Sequence, residues 1–397
     1  MPLPCQVLRD TRTLLAKIAS THPKGVDLAL RAKRLRARPV RRLRMKPRER
    51  FLTALTGGTP DRVPIGDYMF SNNLCERVLN HRQVLYEADK QVELATKLGL
   101  DCMWMGINGF CGLEEEAHAE GTKYQDEWGV SYIKNGWPIM AQTDTPIKTR
   151  ADWEKYKMPS ATAPHRFNML RAGVKANSGD LAIKAGVLGP FTMMYWYLMD
   201  IETLAFTIHD DPELVREMCD AFVKYTLETV RGVVDLGGVS VVEISDDWGG
   251  TKSLLMSPKN LRDFFIPPFR AMVQGMRQMG LPVVMHNDGK IWDVLDDLVD
   301  TGISGVHPVE RAAGGDLAWV KERYKGRICP IGNVDNKYVM STGTSADVEN
   351  EVKECMRIAK PGGGYILSTD HSIHDGMPYE NIMAYIEAGK KYGVYGQ

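Results

Sequence analysis

The stretch that decides the fold is Val239-Ser-Val-Val-Glu-Ile-Ser-Asp-Asp-Trp248, followed some forty residues later by Pro282-Val-Val-Met-His-Asn-Asp-Gly289. Each is a short β-branched run that ends abruptly in acids or a histidine. Between them lies Leu261–Met279, whose apolar residues recur near i, i+3 and i+4, the spacing of an amphipathic helix. A buried strand, a polar strand end and a covering helix form the repeating unit of a parallel α/β sheet.

Working outward, the same unit recurs. Strands are expected at Arg62–Asp67, Asp101–Gly106, Leu181–Leu188, Val239–Ser245, Pro282–Asn287, Gly305–Pro308, Ile328–Gly332 and Tyr365–Ser368. Pro212–Leu236 and Ala346–Ala359 read as further covering helices. Eight strands, each followed by a helix, close into a barrel with every edge paired. A doubly wound open sheet would carry a Gly-rich phosphate turn after its first strand, and Gly66-Asp-Tyr-Met-Phe70 is not one. The expected fold is therefore α/β, a single-domain (β/α)8 TIM barrel over residues 45–397, with a long insertion after the second strand. That insertion, residues 107–180, includes Glu114-Glu-Glu116, a hairpin expected around Tyr124–Lys134, and a Pro-rich stretch, Trp137–Pro164.

Composition bounds the function. The 397 residues are 44% hydrophobic and 25% charged, with zero formal net charge, so nothing in the total charge favours nucleic acid or a membrane surface. No apolar run reaches the ~18 to 20 residues that span a bilayer. The seven cysteines are scattered and never spaced as CxxC, which points to a reducing cytoplasm and away from a thiolate zinc site. Charge is uneven only at the start: residues 1–44 hold twelve Lys or Arg against two acids. Such a segment could be a nucleic-acid arm or an Arg-rich targeting peptide, but Met45 opens a phrase that reads as a natural start, so a basic, non-catalytic N-terminal extension is expected over residues 1–44.

In a barrel, polar residues at the carboxyl ends of strands are placed for chemistry. Here they are Asp67 on the first strand, Glu243 with Asp246 and Asp247 on the fourth, and His286 with Asp288 on the fifth. His307 and Glu310 follow on the sixth, Asn333 and Asp335 on the seventh, and Asp370 and His371 on the eighth. His286 and Asp288 are two residues apart and point to one side of an extended chain. Glu243 on the neighbouring strand could converge with them, giving a site for zinc or another divalent ion, or a metal-free acid/base network. Plainer readings accompany these. His307 alone reads as a hydrogen-bonded structural residue, Asp246, Asp247 and Asp335 suit helix caps, and Gly362-Gly-Gly364 suits a tight turn. Phe191–Met199 (FTMMYWYLM), with Met194 and Trp196, reads equally as a substrate wall or as a buried helix start.

Several segments together resemble one family. Arg48-Glu-Arg-Phe-Leu-Thr-Ala-Leu55 with Pro60-Asp-Arg-Val-Pro64 resembles the opening of the uroporphyrinogen decarboxylase superfamily. So do His286-Asn-Asp-Gly289, Gly305-Val-His-Pro-Val-Glu310, Gly332-Asn-Val-Asp335 and Leu367-Ser-Thr-Asp-His371. The resemblance covers the chain after residue 45 and implies a barrel with a deep cleft at the strand carboxyl ends. Decarboxylases of the superfamily carry an arginine pair just after the first strand. Asp67-Tyr-Met-Phe-Ser-Asn-Asn-Leu-Cys-Glu-Arg77 lacks it, and a polycarboxylate substrate needs cationic partners. In the corrinoid-linked methyltransferase branch, thiol methylases hold zinc by His-x-Cys and a further Cys. Here those places read His286-Asn-Asp288 and Ser368-Thr-Asp370.

What remains resembles the methyl-donor enzymes of O-demethylase systems. The resemblance implies transfer of a methyl group from a methoxylated aromatic to the cobalt(I) of a corrinoid protein, in a cytoplasmic enzyme expected to be a homodimer. The catalytic set is then Glu243, His286, Asp288 and Asp370, with Glu243, His286 and Asp288 as metal ligands. Asp67, Tyr68, Met194, Trp196, Asp247, Asn333 and His371 contact or support the substrate. The competing readings are a metal-independent decarboxylase or lyase on a small carboxylated substrate, another methyl donor such as a methylamine or betaine, and a non-enzymatic scaffold.

Overall fold

A computed structural model describes residues 45–82, 87–107, 121–134 and 141–396. The basic extension 1–44 and the acidic run Glu114–Glu116 lie outside the described residues. In chain order the strands are β1 (Met69–Phe70), β2 (Cys102–Gly106), β3 (Lys123–Gln125), β4 (Ser131–Ile133), β5 (Ala141–Asp144) and β6 (Ala182–Leu188). Then come β7 (Val241–Ser245), β8 (Val283–His286), β9 (Gly305–His307), β10 (Cys329–Val334), β11 (Ile366–Thr369) and β12 (Ile373–His374).

Seven of these form one sheet in the order β11-β10-β9-β8-β7-β6-β2, every pair parallel. The first expected strand, Arg62–Asp67, is reduced to isolated bridges at Arg62 and Ile65. Pro64 has no N–H to give a ladder, which explains the interruption. The segment nevertheless bonds to both edges of the sheet. Gly66 N–H donates to the Leu367 carbonyl at 3.0 Å, and Asp101 N–H on the β2 side donates to the Ile65 carbonyl at 2.8 Å. The result is a TIM-barrel-like α/β fold.

The covering helices form where the sequence caps them. Pro212–Leu236 begins with Asp211, whose side chain accepts from Leu214 N–H, has proline in its first turn, and ends at Gly237 with φ 74°. Thr344 and Asp347 form a reciprocal capping box on Ser345–Ala359. Between β2 and β6, the expected hairpin is present as β3-β4-β5, an antiparallel sheet. Its first turn is held by Asp126, which accepts from the N–H groups of Trp128 and Val130 at 2.9 Å.

Strand alternation sorts side chains into two cores. Ile183, Ala185 and Val187 of β6, Val242 and Ile244 of β7, and Met285 of β8 face the helices. The opposite parity faces the lumen: Cys102, Ala182, Val241, Val284, Ile331 and Ile366 pack with Phe51, Ala54 and Leu55 of the helix Pro47–Leu55 into a separate apolar plug. Arg50, buried and bonded to Asp61 and Asp101, ties that helix to the first strand segment and β2.

Candidate active site

Two residues further along each strand, the lumen changes character. Above Ala182 stands Lys184; above Val241, Glu243; above Val284, His286; above Gly305, His307; above Ile366, Ser368. With a rise of about 3.3 Å per residue in a parallel strand, this polar layer lies roughly 6 to 7 Å above the plug. It faces the carboxyl ends of the strands, where barrels do chemistry.

At the top of this layer, Asp247, His286 and Asp288 each offer a ligand atom within 4.8 Å of the other two. His286 Nε2 lies 3.6 Å from Asp288 Oδ2, and His371 Nε2 reaches the same oxygen at 3.0 Å. Asp288 N–H donates to Asp247 Oδ1 at 3.0 Å, and Asp247 N–H donates to Thr192 Oγ1 at 2.8 Å, so both acids are set by backbone bonds. On its other side, His286 Nδ1 lies 2.8 Å from Nδ1 of buried His307, whose Nε2 is 3.2 Å from Ser368 Oγ.

These groups shift one another. Burial alone would hold His286 neutral, but Asp288, Asp247 and Glu243 outweigh it and push the imidazole up to about 9. Asp288 is also opposed by burial, yet His286 and His371 hold its carboxyl far below the usual range. Burial raises Asp247. Burial, with His286 and Lys184 nearby, drives His307 well below the ordinary imidazole value. His371 is raised: Asp288 overcomes the cost of its burial.

Beneath the cluster is a buried triad. Lys184 Nζ donates to Glu243 Oε2 at 2.5 Å, the Tyr68 hydroxyl donates to Glu243 Oε1, and the ammonium sits 4.7 Å from the Tyr68 ring centroid. The Tyr68 ring meets His286 and His307 edge-on, at 5.3 and 5.0 Å between centroids. It also stacks on Phe70 at 5.8 Å and meets Trp104 edge-on at 5.7 Å. Tyr68, Phe70 and Trp104 thus make an aromatic wall beside the carboxylates and histidines.

The residues picked from sequence separate accordingly. His286, Asp288, Asp247 and His371 converge, and Tyr68 packs under them. Glu243 does not join the trio: it pairs in register with Val284, whereas His286 pairs with Ser245. That stagger leaves Glu243 below His286 within the polar layer, with its oxygens taken by Lys184 and Tyr68, and Asp247 completes the trio instead. Asp370 accepts from Asn336 N–H at 2.9 Å and Arg311 N–H at 3.3 Å, and burial raises it to about 7. Asp67 accepts from Thr369 N–H at 2.8 Å and from the Tyr385 hydroxyl at 3.1 Å, pinning the first strand segment to β11; burial raises it to about 6. Asn333 donates to the Val309 carbonyl at 2.6 Å and accepts from Arg311. Met194 is buried in the outer core, while Trp196 is 43% exposed. Asp335 is the helix cap it was read as, accepting from Tyr338 N–H.

Sequence reading passed over Lys184, Trp104 and Ser368, and took His307 for a structural residue. The available signal was parity: a lysine on the lumen side of the apolar run Ala182–Leu188 has to be paired.

The donor set suits a divalent ion. Two carboxylates and an imidazole are ordinary ligands for zinc and for harder ions, and the side-chain atom Asp288 Oδ1 is buried with no hydrogen-bond partner among the described residues. The free cysteines among those residues, Cys75, Cys102, Cys219, Cys329 and Cys355, are buried and none belongs to the group. Cys102 and Cys329, both in the lumen plug, are pushed up to about 12 by burial.

Titratable groups converging on the carboxyl ends of parallel strands define a barrel enzyme. The family model described as uroporphyrinogen decarboxylase (URO-D) matches residues 46–392, and the chain belongs to that family. Similar curated proteins include the uroporphyrinogen decarboxylase of Pseudoalteromonas atlantica, 23% identical over 268 residues, 63% of this chain and 70% of that protein. Another, from Synechococcus, is 24% identical over 258 residues, with the same two shares, 63% and 70%. Among solved structures, a methyltransferase from Methanosarcina mazei superposes with TM-score 0.69 at 20% identity, over 88% of this chain and 99% of that one. This likeness establishes the shared fold. No helix among the described residues is long and apolar enough to cross a membrane.

Proposed function

We propose that this enzyme takes a methyl group from a methoxylated aromatic compound and delivers it to the cobalt(I) of a corrinoid carried by a partner protein. The observation that carries the reading is the juxtaposition of an aromatic wall, Tyr68, Phe70 and Trp104, with the Asp247–His286–Asp288 cluster. The wall offers a flat aryl ring faces and edges to pack against. The cluster lies beside it, where an ether oxygen would sit.

The surroundings speak against a polycarboxylate substrate. Lys184 is already paired with Glu243, and Arg311 with Glu351 and Asn333. Arg77, which closes the stretch after the first strand segment, stacks on Tyr379 and pairs with Glu380. A substrate with several carboxylates would need such cations unengaged.

In the reaction the cobalt(I) electron pair attacks the methyl carbon, the C–O bond breaks, and its electrons leave with the phenolate. Zinc or another divalent ion held by Asp247, His286 and Asp288 would supply Lewis-acid stabilisation of that oxygen. The chain's own part is to hold the ring against Tyr68 and Trp104 and to keep water from the buried side of the site. In this reading His371, half-exposed with Nε2 on Asp288, gives the departing phenolate its proton.

The test mixes the purified protein with a reduced corrinoid protein, proven competent with another methyltransferase, and a panel of methoxylated aromatics, methylamines and betaines. Methylcobalt absorbance appearing with release of a phenol supports the reading. Activity that falls on chelation and returns with zinc supports the ion. No conversion with any donor, together with carbon dioxide release from a small carboxylated substrate, would replace methyl transfer with decarboxylation.

A further inference from the structure

Above Trp104 and Lys184, the next lumen positions on the same two strands are Gly106 and Gly186, which pair with each other in register. Neither glycine has a positive φ, so backbone conformation does not call for glycine at these places. Space does. A β-carbon added at Gly186 would stand 2.4 Å from Trp104 Nε1 and 2.6 Å from its Cε2, far inside van der Waals contact. One added at Gly106 would stand 3.1 Å from Trp104 Cη2. The indole therefore spans the pair, with its pyrrole edge on Gly186 and its benzene end towards Gly106.

Packing holds the indole in this place. Trp104 Nε1 is buried with no hydrogen-bond partner among the described residues. The Tyr68 and Phe70 rings stand across the indole at nearly right angles, with centroids 5.7 and 6.5 Å away. With strand backbone behind it and those rings beside it, the indole yields to an added β-carbon by leaning into the cleft. Restoring an ordinary contact of about 3.5 Å at Gly186 takes a displacement of roughly 1 Å.

We propose that Gly106 and Gly186 are specificity-determining positions of the site: they let the Trp104 indole lie back against the strands, which leaves the cleft wide enough for an aryl ring carrying several substituents. A side chain at either place tips the indole forward and restricts the enzyme to slim rings. This deepens the functional reading above and rests on its aryl donor.

The experiment uses the full chain labelled with 15N at the tryptophan indole nitrogens, with Trp104 assigned by the signal lost in Trp104→Phe. Wild type is expected to protect the Trp104 indole N–H from solvent exchange, and Gly186→Ala to shift that signal and speed its exchange. On the same proteins, calorimetry measures binding of methoxybenzene and of a trimethoxybenzene. Gly186→Ala is expected to weaken the trimethoxybenzene about 10- to 100-fold and methoxybenzene about 3-fold or less. Gly106→Ala, with its looser contact, is expected to move both readouts the same way by less, and it carries the test if Gly186→Ala does not fold. In a Trp104→Phe background, adding Gly186→Ala is expected to change the ratio of the two affinities little, because the smaller ring leaves room for the methyl group. An indole that stays in place in Gly186→Ala, or a ratio of affinities equal to that of wild type, overturns the proposal and leaves the aryl donor standing. A wild type that binds neither ring overturns the aryl donor, and the proposal with it.

Discussion

The lumen of this barrel has two floors built by the same strands. The lower one, Cys102, Ala182, Val241, Val284, Ile331 and Ile366 under Phe51 and Leu55, is apolar and closed. The upper one, Trp104, Lys184, Glu243, His286, His307 and Ser368, is polar and titratable, yet Glu243, His307 and Ser368 are just as buried. Two residues of strand separate them. The lower floor is stabilised by removing apolar surface from water, at roughly 25 cal/mol per Å2. The upper floor gains less that way, and Lys184, Glu243, His286, His307 and Ser368 each have a partner within hydrogen-bond reach. The difference shows that a barrel can place stability and chemistry on one set of strands, provided alternation is kept and residues change only along the axis.

That comparison predicts different damage at different heights. The largest effect is expected at the top: His286→Ala should cut methyl-transfer activity by about 10^3-fold, with little change in thermal midpoint above about pH 9, where the imidazolium no longer contributes, measured by single-turnover kinetics and calorimetry. A comparable loss of stability there would mean the upper floor holds the barrel together. Next is the triad. Lys184→Met leaves Glu243 buried without its cation and should cost about 3 to 5 kcal/mol in urea unfolding, and adding Glu243→Gln should return part of it. If the single variant unfolds like wild type, the pair is not a closed unit.

At the lower floor, Ile366→Val should cost about 0.5 to 1.5 kcal/mol and leave kcat unchanged. A changed kcat would join the two floors. The most gradual effect is a pH slope. The folded-state pKa of His286, about 9, lies above its ordinary 6.5, so its contribution is complete below pH 6.5 and is lost as pH rises through 9. The metal-free protein should therefore weaken across that window, and His286→Gln should flatten the slope in pH-dependent denaturation curves. An identical slope in both proteins would assign it elsewhere.

Much of this was legible before any coordinates. The β-branched runs ending in acids and histidines gave strand positions to within one or two residues, because a buried strand must be apolar and a strand end need not be. Only the first strand departed, broken by Pro64. The candidate site was half legible. His286 and Asp288 share a side by the period of two, and they do meet. Glu243 was placed beside them because its strand is adjacent, but adjacency does not give register, and the observed stagger leaves it below His286 on the same polar floor. Asp247 read as a helix cap or a substrate contact, since an acid after a strand can serve either way. Lys184 vanished inside an apolar run, and His307 looked like an isolated histidine because its partner is 21 residues away.

The sequence by itself determined the repeating β/α units, the strand ends rich in acids and histidines, and the lack of thiolates and of an arginine pair at the expected places. These are local properties, written in periodicity and residue type. Tertiary structure alone decided which polar groups meet: that Asp247 rather than Glu243 completes the cluster, that Lys184 and Tyr68 hold Glu243, and that His307 stands behind His286. Those contacts depend on the stagger between neighbouring strands and the curl of the sheet. A shift of two residues between neighbours leaves every local pattern intact and changes each partner across the lumen.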